Sequence, residues 1–252
     1  MTAYLDNNIL IELEQKKITK EELIRNINPN ITKFFFSSAH LFEADEITGL
    51  PSEKRERLQR RFDIITELTE NNYLYNELPT NVVLKRIQKP EIVYNTITSS
   101  STTKPAMKSM VNPVSNEQKE IFRNGLKLNP IQINNYSPEE VIAQINEKRD
   151  AFGGFTLFGL IEEAKRIQSN GKPVELYDKI IVSIEMLDLI GYWKDKQTEK
   201  SNYARLWDGL HAYFSTFCDY FVSNDTRTRY KSKVVFETYG IKTKIVSMDG
   251  KI

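Results

Sequence analysis

The chain has 252 residues, 40% hydrophobic and 27% charged, proportions that suit a globular protein with a sizeable core and exclude a disordered one. Its 35 Lys and Arg against 34 Asp and Glu leave a formal charge of +1, so no global field attracts polyanions and any such site must be a local patch. One cysteine, Cys218, excludes an internal disulfide and a thiolate zinc cluster, and two histidines argue against a histidine-rich metal centre.

Acidic residues are plentiful, so the expected metal is a hard, oxygen-liganded ion such as Mg²⁺ or Mn²⁺. Residues 1–6 lack the basic start and long apolar run of a secretory signal. The run 180–190 is broken by Ser183, Glu185 and Asp188. No membrane span is expected, and the expected location is the cytoplasm.

Residues 3–6 read as a buried first strand ending in Asp6. Asn7 and Asn8 follow, and 8–17 reads as a short amphipathic helix with Ile9, Leu10 and Leu13 inward. Thr19 stands three residues before Glu22, the capping-box spacing, so a second helix is expected to run to Arg25. Phe34-Phe35-Phe36 is a compact apolar run, the expected second strand. Ser37 and Ser38 follow as cap candidates, and 39–47 reads helical with Glu43 in its early turns. The segment 51–61 sets Lys54, Arg55, Arg57, Arg60 and Arg61 against Glu53 and Glu56. It is either a solvated helix face or a phosphate-contacting edge.

Further along, the character changes. Residues 95–116 are rich in Ser and Thr and carry Pro105 and Pro113, the composition of a long loop or mobile linker. Ser137-Pro138-Glu139-Glu140 is a strong helix start, with Ser as N-cap, Pro at the first helical position and Glu two residues on. Helices are expected over 138–150, 155–169 and 174–190, the last two stopped by Gly171 and Gly191; Gly153-Gly154 reads as a turn. The expected organisation is an α/β core in two parts, 1–75 and 201–252. A largely helical insertion, 76–200, interrupts it and contains the flexible segment 95–116.

In the closing part Leu210, Tyr213, Phe214 and Phe217 share one helical face, with Asp208 off it. Residues 220–223 read as a strand leading to Asn224 and Asp225. A helix over 226–239 stops at Gly240, and 241–246 reads as an edge strand. In an open parallel sheet, strand C-termini and the helix starts after them share one edge, where ligands bind. Asp6, Glu43, Asp208 and Asp225 are the four acids to gather there. They would repel one another unless a cation compensates, and Mg²⁺ suits such a cluster. Each has a structural alternative: Asp208 and Asp225 as helix caps, Asp6 as a turn residue. Asn8 lies two residues past Asp6 and Ser223 two before Asp225, a repeated placement that supports the joint reading.

These residues carry a family resemblance. Tyr4-Leu5-Asp6-Asn7-Asn8-Ile9-Leu10 resembles the opening of PIN-like nucleases, in which an aspartate, one residue and a polar Asn or Ser end the first strand. Ser38-Ala39-His40-Leu41-Phe42-Glu43 is similar to the Ser-Ala-His helix start of a PIN-like subgroup, which carries the second acid. Residues 217–225, with Arg227 and Arg229 beyond, are similar to the family's closing strand, with Ser223 in place of the commoner threonine. The resemblance covers roughly 1–70 and 202–247 and leaves the middle unmatched.

It implies a PIN-like three-layer α/β fold with a central parallel sheet. It also implies Mg²⁺- or Mn²⁺-dependent hydrolysis of phosphodiester bonds, most often in single-stranded RNA, with DNA chemically open. By that resemblance Asp6, Asp208 and Asp225 bind metal and Glu43 joins them in catalysis, while Asn8, Ser223 and Asp219 support them. Asp219 is the alternative to Asp208 as third acid. Arg227, Arg229 and Lys231 either contact backbone phosphates or form a solvated helix face.

The setting that goes with such an enzyme is a toxin or phage-defence effector. Its expected partners are RNA, a further copy of the chain, or a cognate inhibitor or defence protein; no membrane is expected. The competing expectation is a non-catalytic PIN-like module that binds nucleic acid or protein. Phosphoaspartyl transfer ranks below both, because Asn8 stands where that chemistry wants a second aspartate.

Overall fold

The computed structural model describes residues 1–77, 80, 82–99, 115–196 and 198–251. Six strands, β1 Thr2–Leu5, β2 Lys33–Ser37, β3 Asn72–Glu77, β4 Val82–Ile87, β5 Tyr220–Val222 and β6 Lys244–Val246, form one sheet in the order β4-β3-β2-β1-β5-β6. Among the described residues only the β3–β4 pair is antiparallel. With many helices around a mostly parallel sheet, the chain is an α/β protein.

Two compact units divide the chain. Unit 1 comprises Met1–Ala106, Phe214–Thr226 and Lys242–Ile252; unit 2 comprises Met107–Tyr213 and Arg227–Ile241. These bounds differ from the expected 1–75, 76–200 and 201–252. Strand β4 and helix α5 (Pro90–Thr98) stand with the sheet, whereas 201–213 and 227–241 fall in unit 2. The expected linker 95–116 lies for the most part outside the described residues.

Unit 1 holds the whole sheet. Parallel strands buried on both faces read as continuous apolar runs rather than alternation, and Phe34, Phe35 and Phe36 of β2 are all buried. Ala3, Leu5, Phe34, Phe36, Tyr220 and Val222 share one core with Ile9, Leu10 and Leu13 of α1 (Asn7–Glu14) and Leu23 of α2 (Lys20–Ile27). Phe62, Ile65 and Leu68 of α4 (Pro51–Thr69) join the same core. The capping box read at Thr19 and Glu22 is formed, its bonds at 3.2 and 2.9 Å.

At the exit of β2, Ser37 rather than Ser38 caps α3 (Ser38–Asp45). Its hydroxyl accepts from the Ala39 N–H, and its own N–H donates to His40 Nδ1 at 3.1 Å.

Unit 2 is helical among its described residues: α6 Asn116–Leu126, α7 Pro130–Ile133, α8 Pro138–Asn146, α9 Leu157–Gln168 and α10 Leu176–Ile190. It also takes most of α11 (Glu199–Ser215) and of α12 (Thr226–Thr238). The capping box at Ser137 and Glu140 is present. Gly153 and Gly154 turn the chain with φ of +64° and +90°. No described helix is long and apolar enough to cross a membrane.

Candidate metal centre at the carboxyl edge of the sheet

β1 and β5 are parallel neighbours, so the residues that follow them emerge at the same edge. The Asp6 N–H donates to the Val222 carbonyl at 2.8 Å, carrying the pairing one residue past β1. Ser223 continues β5 in the same way, its N–H donating to the Val246 carbonyl at 3.0 Å. Asp6 occupies the N-cap position of α1, yet its side chain makes no capping bond. The carboxylate turns instead toward β5.

There Asp6 Oδ2 accepts from the Asn8 amide at 2.6 Å and from the Ser223 hydroxyl. Ser223 Oγ in turn accepts from Asn8 Nδ2 at 3.2 Å and from the backbone N–H of Asp225 at 3.1 Å. One donor and two lone pairs are all a hydroxyl has, and here all three are used. Asn8 Oδ1 accepts from the Asn224 N–H at 3.0 Å, closing the ring of contacts across the two strands. Asp6 is only 4% exposed, so this network replaces the water that a carboxylate otherwise needs.

Helix α3 brings the second acid. A carboxylate oxygen of Glu43 lies within 4.8 Å of one of Asp6. Two buried or half-buried carboxylates at that spacing repel unless a proton or a cation lies between them. Oxygens sharing one Mg²⁺ at bonds of about 2.1 Å stand at most about 4.2 Å apart, a separation compatible with the 4.8 Å limit here. Carboxylate oxygens are ligands for divalent cations, so Asp6 and Glu43 fit as part of a divalent-ion shell.

Behind the acids lies a network to which no role was assigned from the sequence. His40 is 1% exposed. A backbone N–H can only donate, so His40 Nδ1 accepts from Ser37, and Nε2 carries the ring proton and donates to the Leu5 carbonyl at 2.7 Å. The Tyr4 hydroxyl lies 2.6 Å from Ser37 Oγ. Its pKa is pushed well above the ordinary tyrosine value, by burial first, and the Asp6 and Glu43 charges push the same way. Tyr4 is therefore a neutral hydrogen-bonding wall, and His40 ties the start of α3 to the end of β1.

The other expected site residues fall elsewhere. Asp225 belongs to the edge network through its N–H. Asp219 does not: it precedes β5, and its carboxylate accepts from the N–H and hydroxyl of Thr2 at 2.6 and 3.1 Å. Thr2 opens β1, so Asp219 sits at the opposite edge of the sheet, about 13 Å of strand from Ser223. It neither supports Asp6 nor serves as a third acid there. Asp208 is half-buried on α11, within unit 2, and His211 is fully buried one turn further along the same helix.

Neither a phosphate contact nor a solvated helix face describes Lys231: it is 1% exposed and its Nζ pairs with Asp195 at 2.8 Å and Asp188 at 3.4 Å. It is a buried counter-charge. Arg227 remains 43% exposed beside Asp195, 3.8 Å away, and Arg229 is half-exposed on the same helix.

The fold and the edge together define a class: a mostly parallel α/β protein with a carboxylate pair at the C-terminal ends of its central strands. Comparison with protein-family profiles, with curated proteins and with solved structures finds no match to this chain.

Proposed function

We propose that the chain is a PIN-like, three-layer nuclease that hydrolyses phosphodiester bonds with Mg²⁺ or Mn²⁺, acting on single-stranded RNA foremost. The observation that carries the reading is the approach of Asp6 and Glu43 within 4.8 Å at the edge where β1 and β5 end. Asp6 and Glu43 hold the ion, and Asp225, whose N–H donates to the Ser223 hydroxyl that bonds Asp6, follows at the same edge. A divalent ion supplies a bound water of lowered pKa and charge stabilisation at the phosphoryl oxygens.

The protein's own residues do the rest. Asn8 and Ser223 both donate to Asp6 Oδ2, which fixes the carboxylate's orientation. Tyr4 and His40, both buried, keep water from the rear of the edge. Because water is the nucleophile, no ribose hydroxyl is required, so DNA is a chemically competent substrate. A toxin or phage-defence effector, with a cognate inhibitor as partner, is the setting that goes with this activity.

The test is cleavage of end-labelled single-stranded RNA and DNA with Mg²⁺ or Mn²⁺, by wild type and by Asp6→Asn, Glu43→Gln and Asp225→Asn. Wild type is expected to cleave, chelation to abolish cleavage, and each variant to lose at least about 100-fold while keeping its thermal midpoint. Undiminished hydrolysis in Asp6→Asn and Glu43→Gln removes the metal centre proposed here. Binding without hydrolysis by wild type makes the chain a nucleic-acid-binding module instead.

A further inference from the structure

α4 enters β3 at its lower end, so the helix descends from the carboxyl edge toward the opposite edge of the sheet. Arg61, its eleventh residue, is bonded to Asn7, the residue after Asp6, and to Glu14. The ten residues before Arg61, about 15 Å of helix, lie on the side of the carboxyl edge. Residues 51–61 carry five cations and two acids, a balance of +3 on this part of the helix.

Between this part of α4 and α5 lies an open groove of about 590 Å³, within the range of small-ligand sites. Its floor is apolar: Leu58, Phe62 and Tyr94, with the rings of the last two 5.3 Å apart. The polar lining is unequally engaged. Lys54 donates to the Asp45 carbonyl at 3.1 Å, the Tyr94 hydroxyl donates to Asp45 Oδ1, and Gln59 covers the single acid, Glu91, at 2.9 Å. Arg55 is exposed and makes no ion pair among the described residues. The groove thus offers a committed acid, a spare guanidinium and an aromatic floor.

We propose that this groove is a nucleotide subsite. It takes one residue of a single strand outside the bond to be cut, with the phosphate on Arg55 and the base against Leu58, Phe62 and Tyr94. Guanidinium with aromatic surface is the combination that holds single strands without reading their sequence. The inference rests on the nuclease reading for its purpose, though not for its chemistry.

The experiment measures binding of a short labelled oligouridine by fluorescence anisotropy across a salt series, without cleavage, in the Asp6→Asn background. Adding Arg55→Glu is expected to raise Kd about tenfold and to lower the salt slope by about 0.7, the share of one phosphate contact on a single strand. The control is Arg25→Glu, the same charge change on exposed α2, beside the opposite edge of the sheet. It is expected to leave Kd within about twofold.

Equal effects of the two substitutions, or no change with Arg55→Glu, overturn the subsite while leaving cleavage by wild type to stand. Absence of oligonucleotide binding at low salt also overturns it. Weakened binding in Arg55→Glu, with no cleavage by wild type under any metal, keeps the subsite and removes the nuclease assignment.

Discussion

At the scale of single residues, the informative contrast is between Ser223 and Asp219, four positions apart on either side of one short strand. Ser223 follows β5 and shares its hydroxyl among Asp6, Asn8 and Asp225. Asp219 precedes β5 and serves Thr2. The pattern of polar residue and acid after an apolar run was legible because a strand's exit edge is fixed by its direction. Asp219 is near the same strand in sequence, but strand polarity puts it at the opposite edge, beside Thr2.

Ser223 also yields a sharp prediction. Ser223→Ala removes a donor to Asp6 and is expected to cut activity about 10- to 100-fold, the cost typical of a partner that orients a metal-binding carboxylate. Ser223→Thr keeps the hydroxyl and is expected to restore most of it. Metal affinity, followed by the rise in thermal midpoint with added Mn²⁺, should fall in Ser223→Ala and recover in Ser223→Thr. If both variants behaved as wild type in the Mn²⁺-dependent shift, Asp6 would not be held by this hydroxyl in any way that matters to the ion.

At the scale of elements, helices were legible wherever their caps were. Thr19 with Glu22 and Ser137 with Glu140 became capping boxes. Strands β1, β2 and β5 were legible as short apolar runs because they are buried. The β3–β4 hairpin was not, and its burial explains why. β4 is an edge strand, mostly exposed, with Lys85 over the Phe35 ring and Arg86 over Tyr75. Such charges guard an open edge and erase the alternation by which a strand is recognised.

The basic helix α12 was misjudged for a related reason: sequence shows charge, and only packing shows which face is buried. Lys231 and Arg205, each 2% exposed at the side chain, lie against Asp188, which is itself 5% exposed. Burial alone would raise the Asp188 pKa, but Lys231, Arg205 and the Asp195 N–H together hold it below the ordinary aspartate value. An acid with a depressed folded-state pKa contributes stability above its unfolded pKa and loses it as pH falls through the folded value.

Asp188→Asn leaves two buried cations short of a counter-charge and is expected to cost about 3–5 kcal/mol at neutral pH. The difference from wild type should shrink toward acid pH, below the ordinary aspartate range. Urea midpoints measured from neutral to strongly acidic pH test this. A deficit independent of pH would assign the loss to packing rather than to charge.

At the scale of the whole molecule, the candidate site depends on segments distant in sequence. Asp6 and Ser223 are separated by 217 positions. Unit 1 is assembled from three stretches, and β5 contributes only three residues to it. That strand is nonetheless central. It pairs β1 through Ala3, Tyr4 and Leu5 and carries β6 on its other side, while Tyr220, Val222 and Val246 belong to the same core as Ile9, Leu10 and Phe36.

Residues 1–106 contain four of the six strands and every helix that packs in this core, yet without β5 the β1 strand becomes an open edge with its apolar face uncovered. Expressed alone, 1–106 is expected to show helical far-ultraviolet dichroism, weak near-ultraviolet dichroism and no cooperative thermal transition. It is also expected to bind no Mn²⁺, because Asp6 has lost the donor that aims it. The full chain should melt cooperatively, with a midpoint that rises with Mn²⁺ by mass action. A sharp, metal-responsive transition in 1–106 would mean that Asp6 and Glu43 are set by their own half of the sheet, and that Ser223 joins a site already made.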